Sequence, residues 1–303
     1  MRRMQAGDPI SNAQEQTPSQ NAKKPAPWWL PRRLLRYVRA LRTQTWDLEG
    51  LERVTGMPLR VRYSGSPANM AFVRQTAFRG TVSEQAHGPM WLWKAFSARR
   101  ARTAKAGLML NETSWRHFLL MRPADSYFIP LWISGEVALE EIETQLKSCG
   151  NVKEDLRRIR KNGFSYATTR LSERFEHFYD HMYLPYMRQT YGEGALLMSR
   201  EAMRAALPKA ELLTVRLENQ EVAGVILVHE DAHTRGWSLG VKDGDRRYVK
   251  AGAIAALYHF SFLHLRETGQ RKYHFGASRP FLSDGVLRYK RKWAMHFTGG
   301  TPR

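Results

Sequence analysis

Apolar and polar positions divide the chain into an unpatterned start, a mixed middle and a strongly patterned second half. Residues 1–27 carry no periodic apolar signal and are rich in Gln, Ser, Asn, Ala and Pro. Such a composition buries too little surface to offset the entropy of ordering, so a disordered tail is expected. From Trp28 onward, Leu34, Leu35, Val38 and Leu41 recur at helical spacing with Arg32, Arg33, Arg36, Arg39 and Arg42 between them. That pattern predicts a basic amphipathic helix over 28–46. Across 47–150 the runs 57–64, 70–78, 117–123 and 126–134 read as strands, and 136–149 reads as an amphipathic helix. Pro123 and Pro130 mark edge strands or bends.

The second half is more regular. A basic helix over 153–164 ends at Asn162-Gly163, and a strand over 164–170 follows. A long helical region, 172–192, is expected to bend near Pro185. Ser199 then N-caps a helix over 199–210. The run 211–230 alternates around Glu218-Asn219-Gln220-Glu221 and predicts a hairpin. A strand over 236–241, a basic turn at 246–250, an apolar helix over 251–267 and a strand over 271–275 complete the pattern. A turn-rich loop, 276–285, leads into 286–297. The expected architecture is α/β in the α+β sense: a mixed, mostly antiparallel sheet flanked by helices.

Composition narrows the class. The 303 residues are 43% hydrophobic and 11% aromatic, enough for a real core. The single cysteine, Cys149, excludes an intrachain disulfide framework and a cysteine-rich zinc site, and no metal-ligand spacing is present. Lys and Arg number 48 against 28 Asp and Glu, a formal +20. That excess suits phosphate-rich partners: nucleic acid, an anionic membrane face or a nucleotide-like co-substrate. No run of about 20 apolar residues predicts a transmembrane helix. No secretory signal is recognised, so a cytoplasmic location is expected, with the 28–46 helix able to touch the inner membrane face.

The candidate chemistry centres on the basic turn. A helix start leaves unpaired amides and a partial positive charge, which favour phosphate. Arg246, Arg247 and Lys250 add cations there, and Ala251, Gly252 and Ala253 permit close approach to the backbone. The plainer reading is a surface helix that happens to begin with basic residues. His229, Glu230 and His274 stand at predicted strand ends as candidate bases, or as solvated strand-end residues. In 276–293, Arg279 offers a planar fork to a carboxylate or phosphate. Asp284 makes a tight turn and is a second substrate-binding candidate. Tyr289 is placed to protonate a leaving group. The cluster Arg157, Arg158, Arg160 and Lys161 is either an anion contact or a solvated face.

From R-R-I-R-K-N-G-F (157–164), E-L-L-T-V-R (211–216), E-V-A-G-V-I-L (221–227), S-L-G-V-K-D-G (238–244), K-A-G-A (250–253) and G-A-S-R-P-F-L-S-D-G-V-L-R-Y-K-R-K-W (276–293), the chain resembles the GNAT superfamily and its FemAB-like branch. The resemblance covers roughly 151–303. It implies a GNAT-like sheet with two central strands splayed around the donor arm, and oxyanion contact from backbone amides at about Leu227, Val228 and the residues up to Glu230. It also implies a lysine near the reacting carbonyl at Lys290. The stretch 47–150 becomes either a diverged first GNAT-like copy, giving tandem halves, or a substrate-binding half. The implied activity is acyl transfer from acetyl-CoA or another acyl-CoA to an amine or hydroxyl on a small molecule or a glycan or peptide precursor. One departure stands out, because Lys250 occupies a position where the usual donor loop has glycine. Two alternatives therefore stay open: a FemAB-type aminoacyltransferase using aminoacyl-tRNA, and a non-catalytic relative at the envelope or membrane.

Overall fold

The computed structural model describes residues 41–97, 107–121, 126–148, 150–192, 195, 197–231, 233–282 and 284–298. Residues 42–303 form one compact unit. The tail at 1–27, most of the 28–46 helix and Cys149 lie outside the described residues.

Strands β1 (Arg42–Glu52), β2 (Pro58–Gly65), β3 (Phe78–Trp91) and β4 (Leu108–Asn111) make a small sheet in the order β3-β1-β2-β4. Only its β2–β4 pair is parallel. Leu48, Val61 and Phe78 are its buried centre. Three sequence expectations change here. Residues 42–46 are strand, not helix: Thr43 and Thr45 are β-branched, and β1 is held by ladders on both sides. The stretch 70–78 belongs mainly to helix α1 (Pro67–Ala77). Ser66 caps it by accepting from the Asn69 amide, Pro67 opens its first turn, and Met70, Val73 and Ala77 pack on the small core at helical spacing. Residues 117–121 fall in α3 (Trp115–Met121), which follows a helical turn, α2 (Leu92–Ala95). No strand forms over 126–132. The strand there is β5 (Ser134–Ala138), and the expected 136–149 helix shortens to α4 (Ile142–Ser148).

The larger sheet has seven strands in the order β11-β5-β10-β9-β8-β7-β6. They are β5, β6 (Ser165–Thr169), β7 (Ala210–Leu217), β8 (Gln220–His229), β9 (Thr234–Val241), β10 (Lys272–His274) and β11 (His296–Thr298). Every pair is antiparallel except β9–β10. The sheet is thus mixed, mostly antiparallel and flanked by helices, as the GNAT resemblance implies. β5 joins it from before residue 150. Helices α5 (Gly150–Lys161), α6 (Ser172–Phe178), α7 (Leu184–Tyr191), α8 (Arg200–Ala206), α9 (Arg246–Ala251), α10 (Ala253–Glu267) and α11 (Gly285–Lys292) complete the unit.

The hairpin turns through Glu218 (φ 50°) and Asn219 (φ 63°), the left-handed pair that matches strand twist. β8 is apolar on both faces because it is central: Val225 and Leu227 join the core under α10, while Ile226 and Val228 join the core under a π-helical turn, Tyr179–Tyr183. That turn separates α6 from α7 just before Pro185, whose missing N–H cannot continue the α-helical ladder. The expected basic turn is itself helical. α9 occupies Arg246–Ala251, N-capped by Asp245, and Gly252 at φ 107° breaks it from α10. Residues 285–292 form α11 on the Asp284 cap.

Candidate functional site

The opening in the sheet lies between β9 and β10. These strands pair only at Thr234–Tyr273 and Arg235–His274. Beyond His274 the chain follows β5 instead: the Phe275 amide donates to Gly135 O at 2.9 Å, and Ser278 exchanges both backbone bonds with Ile133 at 2.7 and 2.9 Å. Among the described strands, β9 from Gly236 to Val241 therefore has no neighbour on that side. Where Ser278 turns both backbone groups to Ile133, the alternation of an extended chain turns those of Ala277 the other way, towards the gap.

Lys290 fills that position from α11. Its Nζ donates to Ala277 O at 2.9 Å and lies 3.5 Å from Gly276 O. The side chain is only 7% exposed. Burial pushes its amine down to about 8, with Asp284 opposing. An aromatic cluster packs beneath α11. Tyr258 on α10 lies 5.9 Å from Tyr289 and 5.5 Å from Phe275, ring to ring. Burial and the mutual proximity of Tyr258, Tyr273, Tyr289, Tyr186 and Tyr191 keep the Tyr258 phenol protonated far above its ordinary range. Asp284 accepts from the Leu287 amide at 2.7 Å, so its first role is to cap α11.

Arg279 is held between α1 and the segment that leads into β5. It is 6% exposed, with Nη2 donating to Asn69 Oδ1 at 2.6 Å. Its guanidinium lies 3.8 Å from the Trp132 ring and 4.2 Å from the Phe72 ring. Its Nη1 is buried with no hydrogen-bond partner among the described residues. A buried guanidinium with an unspent N–H is suited to an incoming anionic oxygen.

The start of α10 differs from the open phosphate seat expected from sequence. Gly252 and Ala253 are buried. The stem of Arg158 lies over Gly252, so that a Cβ there would sit 3.3 Å from Arg158 Cδ. Asn162 Nδ2 donates to Ala251 O at 2.8 Å. Arg247 is paired with Asp245 at 2.7 Å, while Arg246 and Lys250 are exposed. Arg158 also lies 3.9 Å from Asp155, a buried carboxylate that holds Lys292 at 2.6 Å and Tyr289 at 3.4 Å. Charge reaches this helix start through side chains, not bare amides.

The predicted bases stand at the Thr234 end of β9. His274 is close to Lys290, two residues before Gly276, whose carbonyl lies 3.5 Å from Lys290 Nζ, whereas His229 and Glu230 are engaged with other partners. His229 bonds Thr234 Oγ1 at 3.0 Å and approaches Glu211 at 3.4 Å. Glu230 pairs with Arg235 at 3.0 Å and His233 at 3.1 Å. His274 Nδ1 accepts from the Gly276 amide at 3.1 Å, and burial, His233 and Arg235 push its imidazole down. Leu227 and Val228 are locked in ladders with both β7 and β9, so the gap borders β9, one strand further on. Sequence reading passed over Asn69, Phe72, Trp132, Asp155, Tyr186, Tyr191 and Tyr258. Only Asp155, an acid inside a basic helix, carried a visible signal.

Glu211 makes a separate prediction. It bonds His264 at 3.0 Å and lies 3.4 Å from His229, and these two imidazoles, His229 foremost, lower its carboxyl to about 2 against the opposing effect of burial. A depressed carboxyl stabilises the fold above its ordinary value near 4.5, and the contribution disappears as pH falls from there to about 2. Glu211→Gln is expected to cost about 2 kcal/mol at neutral pH. The deficit should shrink towards zero at about pH 2 in urea titrations. A deficit independent of pH would show that the charge is not what matters.

No known family and no curated protein matches the chain by sequence. Solved structures do align. L-PGS from Bacillus licheniformis is 12% identical at a TM-score of 0.41, over 78% of this chain and 75% of that one. FemX is 11% identical at 0.41, over 81% and 80%. A tandem GNAT protein from the clavulanic acid biosynthesis pathway is 10% identical at 0.33, over 81% and 78%. Likenesses at this level say nothing about chemistry, and the GNAT-like fold stands on the strand order above.

Proposed function

We propose that this chain is a GNAT-type acyltransferase working at the gap between β9 and β10, with residues 47–150 supplying part of the acceptor side. The observation that carries this reading is the buried Lys290 amine bonded to the carbonyl edge of that gap. A donor carbonyl placed there meets the unpaired edge of β9, whose amides can bind the developing oxyanion. The acceptor nitrogen or oxygen bonds to the carbonyl carbon, and the bond from that carbon to the donor's sulfur or oxygen breaks. The acceptor's proton ends on the leaving group. With an amine lowered to about 8, Lys290 has a neutral fraction near pH 7. Its N–H groups are held by Ala277 and Gly276, leaving a lone pair to take the proton. Tyr289 returns a proton to the leaving group, and Arg279 holds an anionic group of the acceptor, a small molecule or a glycan or peptide precursor. Rate should therefore rise with pH through about 8.

The donor in this reading is a coenzyme A thioester, its phosphates met by Arg158, Arg246 and Lys250. Aminoacyl-tRNA is the second reading, favoured by the cover over Gly252 and by Lys250 itself. Calorimetry with acetyl-CoA and filter binding with tRNA separate them. Saturable acetyl-CoA binding weakened about tenfold by Lys250→Ala supports the first. Salt-sensitive tRNA binding without acetyl-CoA affinity transfers the proposal to the second. Neither ligand binding would overturn the transferase reading and leave a non-catalytic relative.

A further inference from the structure

A second cavity, of about 510 Å³, opens on the other side of β8 from α10. Its lining includes Arg174, His177 and His181 from α6 and the π-helical turn, Arg216 from β7, and Lys242 just after β9. The carboxylates facing it are Glu221 and Asp243. Glu221 is already engaged: it holds Arg174, lies 3.3 Å from Arg216 and accepts from Thr214 at 3.3 Å. Among the described residues, no hydrogen bond or ion pair occupies the side chains of His177, His181 or Lys242. The two imidazoles instead lie against each other, tilted by 34° with centroids 4.6 Å apart.

From the geometry we infer that this cavity is a binding site for a phosphate group. Three cations and two carboxylates leave a net +1, which becomes +3 when both imidazoles are protonated. Like charges gathered in this way repel one another. Burial, His181, Arg174 and Lys242 all hold the His177 imidazole below its ordinary range, with Glu221 opposing. An anion relieves that repulsion and accepts from every unspent donor at once. A divalent metal would face Arg174 and Lys242 at close quarters, and no group of three metal-ligating side chains forms among the described residues.

The test does not depend on turnover, so it stands or falls separately from the transferase reading. Inorganic phosphate is titrated against the whole chain while the ring protons of His177 and His181 are followed by NMR. Both rings are expected to report one saturable dissociation constant at about pH 6. Lys242→Gln and His181→Gln, both at solvent-accessible positions, should each weaken it severalfold while the remaining spectrum stays folded. Shifts that do not saturate, that sodium chloride reproduces at equal ionic strength, or that survive both substitutions would overturn the site. Competition identifies the source of the phosphate. Displacement by adenosine monophosphate and not by adenosine marks a phosphate monoester. Stronger displacement by a short single-stranded RNA marks a phosphodiester backbone.

Discussion

Lys290→Met is expected to abolish acyl transfer, by about a hundredfold or more, while leaving the fold as stable as before or more so. The two effects have one origin. Burial lowers the amine from 10.5 to about 8, so the unfolded chain binds the proton more tightly than the folded one. Below about pH 8 the buried ammonium costs the fold about 3 kcal/mol, and that cost fades as pH rises towards 10.5. Methionine has a similar length and no charge to desolvate. Against this gain stands the bond to Ala277 O, whose loss leaves a buried carbonyl unpaired at about 1–3 kcal/mol. The net should lie between no change and about 2 kcal/mol of stabilisation at neutral pH. Urea unfolding and initial rates on the same preparations check both halves. The rising limb of the pH–rate profile near 8 should vanish in any residual activity. A variant that unfolds readily but turns over normally would make Lys290 a structural residue.

Gly240→Ala is expected to destabilise the unit by about 3 kcal/mol or more, lowering the melting temperature by roughly 10 °C. Gly240 lies on β9 directly under the π-helical turn. A Cβ built there falls 2.5 Å from Met182 C and 2.6 Å from both Met182 O and Tyr183 N. All three are backbone atoms, so no rotamer change relieves the clash. The turn must lift from the sheet. Its anchors would be disturbed with it: Tyr183 Oη accepts from the Met198 amide at 2.6 Å, and Tyr179 donates to Met198 O at 2.8 Å. Gly285 provides the control. It opens α11 at an ordinary φ with nothing within 4 Å of its Cβ, so Gly285→Ala should be neutral or slightly stabilising. Equal melting temperatures for the two variants would remove the close approach as the reason for glycine at 240.

Local signals served well where the pattern was dense. The 210–229 hairpin, the Ser199 cap and the stop at Asn162-Gly163 follow from alternation, capping chemistry and left-handed turn residues. In the first half, short apolar runs had no period long enough to separate strand from helix. The Ser66-Pro67 start of α1, a capping serine before a first-turn proline, was the local cue that separates helix from strand there. Lys290, Arg279, Tyr289 and Asp284 drew attention because they crowd one short stretch, the 276–284 loop and the helix α11 that follows it. Their partners did not. Asn69 and Phe72 lie more than two hundred positions from Arg279, and pairing over such separations leaves no mark in local composition.

By itself the amino-acid order determined the class of fold, the order of most elements after residue 150 and the segment most concentrated in reactive side chains, because periodicity, caps and turns act over a few residues. Tertiary structure alone decided which strands part, that His229 and Glu230 are engaged by Glu211 and Arg235 while His274 lies near Lys290, and that Arg158 covers Gly252. Those outcomes depend on strand pairing and burial across distant segments, where desolvation and the competition for hydrogen-bond partners are settled only once the chain has packed.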